Sequence, residues 1–562
     1  MPRMRRFSRI VVGLLLSVLV TGILYPGAAA DTPSCPGCGM VWKDTCLPFE
    51  QNNESAYNDE MTAALFPVAA NLTPVPDYSN LSWSTAFYSL HNLMKERYAF
   101  TDWRDVDWDA LYAQYSPQIA AAEKAGDKAA YYRALRGYLY SVHDGHVLIG
   151  AQDDYGARYA DVGGGFGIAV SRLDTGRTIV SYVANGSAAD KAGLAFGDEV
   201  TAWNGKPVGY AINATSILWA VRKPSTAEGI LLQQQRFLTR APVGTVATVT
   251  ITNGTTSGSR TINLAAYDDR YDTLTRTTTF LQKQVDDVGV AHGSRDILAQ
   301  ISNDPVTTRV LPGGYTYLAV YGETYAVYQP FKAAVQAASA NNSPGIILDL
   351  RFNNGGDDNL ASCMAGWFVD TPVFYEYGTK YDPGLKKSVT VWEARSAPRP
   401  DRYTGPVAVL VSPYTISSGE GVPRVFEQSG YGTIVGYYGT NGAFGMETTG
   451  AYMPLNMTVM FPDGASLDQN GKIQVDSNAT LNGGVAPKLR VPLTEENLAR
   501  SMAGEDVQLA YALGWLKEQN GSPASGAGST IRSVPTPAPV PAAIPLLALG
   551  FILLFTGRKK IH

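Results

Sequence analysis

Serine, glycine and histidine occur in three places where together they could carry out acyl transfer. Gly345 to Gly356 reads Gly-Ile-Ile-Leu-Asp-Leu-Arg-Phe-Asn-Asn-Gly-Gly, an apolar strand running into a glycine loop. A second apolar run, Val407 to Val411, leads into Ser412-Pro-Tyr-Thr-Ile-Ser-Ser-Gly-Glu420. A glycine amide and a serine, each at the carboxyl end of a strand, are what a serine nucleophile with an oxyanion hole requires. The hydroxyl also needs a base, and no Lys or Arg lies between Arg424 and Lys472. Histidine is confined to His91, His143, His146, His292 and His562. A neutral imidazole is suited to take a proton near neutral pH.

These stretches resemble the C-terminal processing (tail-specific) serine peptidases and their tricorn-like relatives. The family's strand-loop, roughly D-L-R-x-N-x-G-G, corresponds to Asp349 to Gly356, and its S-A-S-E corresponds to Ser417-Ser418-Gly419-Glu420. The resemblance runs from about Trp83 to Leu516. It implies that Ser417 is the nucleophile and that the backbone N–H groups of Gly356 and Ser418 form the oxyanion hole. The lysine-using branch has its base about 25 residues after the serine, where this chain has Gly442. The histidine-using branch carries D-G-H, present here in Leu139-Tyr-Ser-Val-His-Asp-Gly-His146. That match selects His146 as general base and leaves His143 a bystander. The family's orienting acid lies nearly sixty positions after the serine, where the usual glutamate is absent and Asp476 is the nearest acid. Glu420 is the weaker candidate for that role. Lys488 stands where the family has an aspartate, and Gly419 where it has a serine. Activity is expected to fall on the acid side as an ordinary imidazole protonates, between about pH 5 and 8.

The composition is globular, with 45% hydrophobic and 17% charged residues. The first thirty residues hold four Arg and no acid, so the remainder sets 41 basic against 50 acidic side chains. An acidic chain without a basic stripe argues against nucleic acid as a partner. No phosphate-cradling or metal-binding motif occurs, so neither metal nor cofactor is expected. Arg3, Arg5, Arg6 and Arg9, the apolar run Ile10 to Leu24 and Ala28-Ala29-Ala30 have the layout of a secretory signal. Export makes Cys35, Cys38, Cys46 and Cys363 candidates for disulfides, their pairing left open. At the other end, a Gly, Ser, Ala and Pro-rich stretch precedes an apolar run, Ala542 to Gly557, and Arg558-Lys559-Lys560. That tail resembles PEP-CTERM sorting signals. The likeness implies processing by an exosortase-type enzyme and transient or permanent membrane contact. The expected location is the periplasm, outer surface or extracellular space.

The expected fold is a multidomain α/β chain: an N-terminal helical region, a PDZ-like β-rich module and an α/β peptidase core of the ClpP/crotonase-like tail-protease type. The boundaries are 1–30 signal, 31–82 cysteine-containing segment, 83–155 helical region with D-G-H, 160–266 PDZ-like module, 267–519 peptidase core, 520–541 linker and 542–562 tail. Apolar positions at helical spacing, such as Phe87, Leu90, Met94 and Tyr98, mark the first region. Gly165-Phe166-Gly167-Ile168 resembles the carboxylate-binding loop of PDZ domains, and 212–221 would be the helix flanking a bound peptide. The expected activity is that of a serine endopeptidase acting on unfolded or C-terminally presented polypeptides. The alternative is a catalytically inactive, peptide-binding scaffold on the same fold at the cell surface. An esterase is disfavoured because no G-x-S-x-G elbow surrounds Ser417.

Overall fold

The computed structural model describes residues 75–252, 258–276, 306–446 and 449–521. The signal, Cys35, Cys38, Cys46, His292 and the apolar tail lie outside the described residues. Among those described, no helix is long and apolar enough to cross a membrane.

The helical region consists of Trp83–Arg97, Trp108–Ala125 and Lys128–Ser141. Each starts on a side-chain cap: Ser82, Asp107 and Asp127 accept from Thr85 N, Ala110 N and Ala130 N respectively. Phe87, Leu90, Met94, Leu135, Tyr138 and Leu139 form its core.

The β-rich module is an antiparallel sheet whose strands Ile168–Arg172, Thr178–Val183, Glu199–Trp203, Val246–Thr252 and Ser259–Ala265 lie in chain order. Its inner face is Ile168, Val170, Val180, Val200, Val249 and Ile251. The flanking helix differs from expectation. A short turn of helix, Val208–Asn213, is followed by non-helical chain, and the long helix is Ala227–Leu238. The PDZ likeness implied a helix over 212–221, but the chain leaves helical geometry after Asn213, and Pro224 disfavours α geometry in the residue before it. The helix restarts only after Thr226, whose hydroxyl accepts from Gly229 N (3.3 Å).

The third unit has a six-stranded sheet ordered Val306–Val310, Thr316–Val320, Ile346–Asp349, Val407–Leu410, Gly432–Gly436, Leu489–Arg490. The first pair is antiparallel and the others parallel. Both faces are buried, as parallel strands require. Leu348 and Val409 face one core, Ile347, Ala408 and Leu410 the other. Asp349 pairs with Leu410, so the two motif-bearing strands end side by side. The last described stretch of the core is two helices, Glu495–Met502 and Val507–Gly521, separated around Gly504 at φ +97°. Leu148–Gly150 crosses to this unit and pairs with the hairpin strand Met457–Phe461.

Cys363 is buried and disulfide-bonded. The other three cysteines of the chain are all outside the described residues.

Candidate active site

The glycine loop and the serine turn leave the same sheet edge and are tied together. Ile416 N–H donates to Asn353 O (3.1 Å), and Thr415 Oγ1 donates to Leu350 O (2.7 Å). The charged residues of the strand-loop motif are structural. Arg351 reaches Asp349 (2.6 Å) and Asp506 (2.8 Å) within the protein interior.

Ser417 caps the helix Ser418–Ser429 with φ 61° and ψ −141°, backbone space normally reserved for glycine. Such a conformation costs about 1–3 kcal/mol and persists only where its surroundings enforce it. Here Ser417 N–H donates to Ala443 O (2.9 Å), and Ser417 O accepts from Glu420 N (2.7 Å). The glycine loop lies directly against this residue. A Cβ built on Gly355, at φ +77°, would stand 2.4 Å from Ser417 Cβ and 3.0 Å from its Oγ. Gly355→Ala should therefore push the hydroxyl out of place and lower kcat roughly 100-fold, the scale of an ångström misplacement. Steady-state kinetics on the folded variant checks this.

Of the two expected oxyanion donors, Ser418 is the first helical residue, so its N–H has no acceptor within the helix, at the end where the dipole favours negative charge. Gly356 N–H instead donates to Ser418 Oγ (3.3 Å), and that hydroxyl donates to Gly356 O (2.9 Å). The Gly356 amide is thus engaged in this state and becomes available only when Ser418 Oγ turns away.

The D-G-H loop packs on the serine turn. A Cβ on Gly145 would lie 2.7 Å from Ile416 Cδ1 and 3.2 Å from Ala443 Cβ. Gly145 N–H donates to Ser225 Oγ (2.8 Å), which donates to Asn441 Oδ1 (2.9 Å). The strand Leu148–Gly150, two residues on, fixes the exit of the loop. His146 is buried, and its N–H donates to Asp144 Oδ1 (2.8 Å). Burial lowers its pKa to about 4; Asp144 opposes this shift and Arg104 adds to it. The imidazole is therefore a neutral acceptor over a wider range than an exposed histidine. His143 is likewise pushed down to about 4, by burial and then by Lys223 and Arg104.

Asp476 is buried and accepts from Phe444 N (3.0 Å) and Arg104 Nη2 (3.3 Å), both on Oδ1. Its Oδ2 is buried without a hydrogen-bond partner. Burial holds its pKa well above the ordinary carboxylate value. Asp144 differs because Tyr98 Oη donates to it (2.6 Å) in addition to His146 N. Although burial pushes the other way, Arg104, His146 and these donors keep its pKa below the ordinary value. The carboxylate whose charge acts on His146 is thus Asp144, a residue passed over in the sequence. Glu420 braces the turn opposite, accepting from Thr440 Oγ1 (2.5 Å), Gly442 N (2.7 Å) and Ala443 N (2.9 Å). Burial pushes it up to about 7.

Gly442, the position at which a lysine base would stand, is at φ +79°. A Cβ there would meet Thr226 Cγ2 at 2.8 Å and Ser477 Cβ at 3.3 Å, so no side chain fits. The 219–226 segment that approaches it comes from the β-rich module, and Arg222 Nη1 donates to Tyr414 O (2.7 Å). Arg104, Tyr98, Ser225 and Asn441 were not found from the sequence; their partners lie tens to hundreds of positions away.

Gly165, Phe166, Gly167 and Ile168 are all buried. A Cβ on Gly165 would sit 2.2 Å from Asp269 Oδ2, a carboxylate paired with Arg240 (2.7 Å). The neighbouring strand's Arg172 N–H is taken by Gln235 Oε1 (2.6 Å) from the helix Ala227–Leu238. The loop is packed against the chain's own carboxylate, which opposes an incoming one.

Residues 314–490 match Peptidase family S41, and residues 79–128 match the Tricorn protease C1 domain. The chain is a serine-type peptidase whose core carries the stretch similar to that family. Among solved structures, the peptidase resembles mature CPAF at TM-score 0.53 and 14% identity, covering 78% of this chain and 98% of that one. It also resembles mature CPAF complexed with lactacystin, at TM-score 0.51 and 13% identity, covering 78% and 99%. At such identities the likeness speaks for the fold. No curated protein matches the chain.

Proposed function

We propose that this serine peptidase is an exported endopeptidase cleaving unfolded or C-terminally presented polypeptides through Ser417 and His146. The observation that carries this reading is the strained Ser417, pressed on Gly355 at a sheet edge where the D-G-H loop is packed. Ser417 Oγ attacks the scissile carbonyl and passes its proton to His146. The tetrahedral oxyanion is held by Ser418 N–H, with Gly356 N–H joining once Ser418 Oγ releases it. Collapse sends the proton from His146 to the leaving amine, and water then cleaves the acyl-enzyme by the same route in reverse. Asp476 Oδ2 is the acceptor proposed to orient His146. The disulfide at Cys363 supports an oxidising compartment.

A fluorophosphonate should modify the wild-type chain on Ser417, as mapped by mass spectrometry, with turnover of casein alongside. The acid limb of kcat/KM is expected near pH 4, because His146 is competent only when neutral and burial has lowered its pKa to about 4. This is below the ordinary imidazole range expected from sequence. A limb near 7 would instead point to Glu420 and count against His146 as the titrating base. The engaged Gly356 amide is the one observation favouring a non-catalytic scaffold. Peptide binding without turnover or labelling would establish that reading.

A further inference from the structure

We infer that Arg104 is a positioning residue for proton transfer, a single guanidinium holding the D-G-H loop and the Asp476 segment in one charge-balanced unit. The inference rests on the Ser417–His146 reading. Arg104 follows the first helix of the helical region, and its side chain is almost fully buried. Nη1 donates to Ser477 Oγ (2.7 Å) and to His143 O. Nη2 reaches Asp476 Oδ1 (3.3 Å) and Gly442 O (3.4 Å). Nε lies 3.6 Å from Asp144 Oδ2. Its contacts thus join the residues before His146, the residues flanking Asp476 and the turn that receives Ser417 N–H.

Arg104 faces two buried acids, Asp144, which it helps to hold ionised, and Asp476, which burial pushes toward its protonated form, and the other nearby groups supply no second permanent cation. Tyr98 donates a neutral hydroxyl to Asp144. Lys223, buried with Nζ on Leu139 O (2.5 Å), is disfavoured as a cation by that burial. Glu420 adds a further acid close enough to act on both Arg104 and Asp476. His146 therefore titrates in a field in which Arg104 is the permanent cation. When His146 takes the serine proton, the new imidazolium adds positive charge where the Asp144 carboxylate already waits. Arg104 keeps that carboxylate ionised and both acids fixed in place without a proton of its own to lose.

The test uses the full-length protein and exploits a cavity of about 230 Å³ beside Arg104, lined also by Asp105, Val106, His143, Asn478 and Leu481. Arg104→Ala should lower kcat/KM at neutral pH about 100-fold, mostly in kcat. Its acid limb should rise by about one pH unit, since a cation that disfavours imidazolium is gone. Millimolar guanidinium should restore part of the rate and move the limb back; Arg104→Lys should keep the wild-type limb at reduced rate. A folded Arg104→Ala whose limb stays in place, with no response to guanidinium, would make Arg104 merely structural and overturn the inference. Should Arg104→Ala not fold, Ser477→Ala, which removes one buried partner, is expected to shift the limb upward by a smaller amount, and an unmoved limb there overturns it equally. The underlying reading fails separately, and earlier, if wild type is not labelled on Ser417 or if His146→Ala keeps the wild-type acid limb.

Discussion

Ser417→Ala is expected to lower turnover of an unfolded polypeptide roughly a million-fold and to abolish fluorophosphonate labelling. The substitution isolates chemistry from structure. Alanine keeps the Cβ that packs against the Gly355 backbone, and the two backbone hydrogen bonds that hold the residue involve main-chain atoms alone. Stability should therefore change by no more than about 0.5 kcal/mol. Thermal melting beside the kinetics checks this. Residual activity of the order of 10³–10⁴ over water would remain if Ser418 N–H still binds the developing oxyanion. Undiminished turnover, or labelling that persists in the variant, would remove Ser417 as nucleophile and with it the covalent mechanism.

The catalytic half of the fold was legible because its signals are local. Ile346–Leu348 and Val407–Leu410 are short apolar runs, the first followed within a few residues by the glycine loop and the second by serine, and parallel strands buried on both faces are written that way. The residues that make the site work are not local. Leu148–Gly150 is three residues long and has no pattern of its own; only its pairing with Met457–Phe461 makes it a strand. That pairing fixes the exit of the D-G-H loop, whose Gly145 packs against Ile416 beside the serine. Arg104 reads as an ordinary turn arginine until folding brings Asp144 and Asp476 to it. The helix expected over 212–221 from the PDZ likeness ends at Asn213, and the apolar residues that follow are not helical. Trp219 and Ala220 are buried against the helical region, while Lys223 meets Leu139 of the helix Lys128–Ser141 and Ser225 meets the D-G-H loop. The PDZ-like loop shows how much of a motif's setting lies elsewhere in the chain. Its glycines are present, but Asp269 and Arg240, further along the chain, pack against Gly165.

His146→Ala should be nearly as damaging as loss of the serine, roughly 10⁵–10⁶-fold in kcat, because a serine hydroxyl without its base is not a nucleophile near neutral pH. The sharper expectation concerns rescue. Placing the lysine of the related branch by Gly442→Lys on the His146→Ala background should restore nothing. Gly442 holds φ +79°, and its N–H donates to Glu420 Oε1 (2.7 Å). Its missing Cβ faces Thr226 Cγ2 at 2.8 Å, Gly484 N at 3.3 Å and Ser477 Cβ at 3.3 Å. A lysine stem would have to displace the 226 and 477 segments, the latter through Ser477 a partner of Arg104, and would cost about 1–3 kcal/mol in backbone strain alone. Single-turnover acylation by an activated ester, measured up to alkaline pH where lysine would be neutral, distinguishes the two bases. Recovery of acylation in the double variant, with a rate rising through a lysine-like pKa, would show that the turn opens readily to admit a side chain. The exclusion of the lysine mechanism would then rest on residue identity alone and not on the shape of the turn that Glu420 braces.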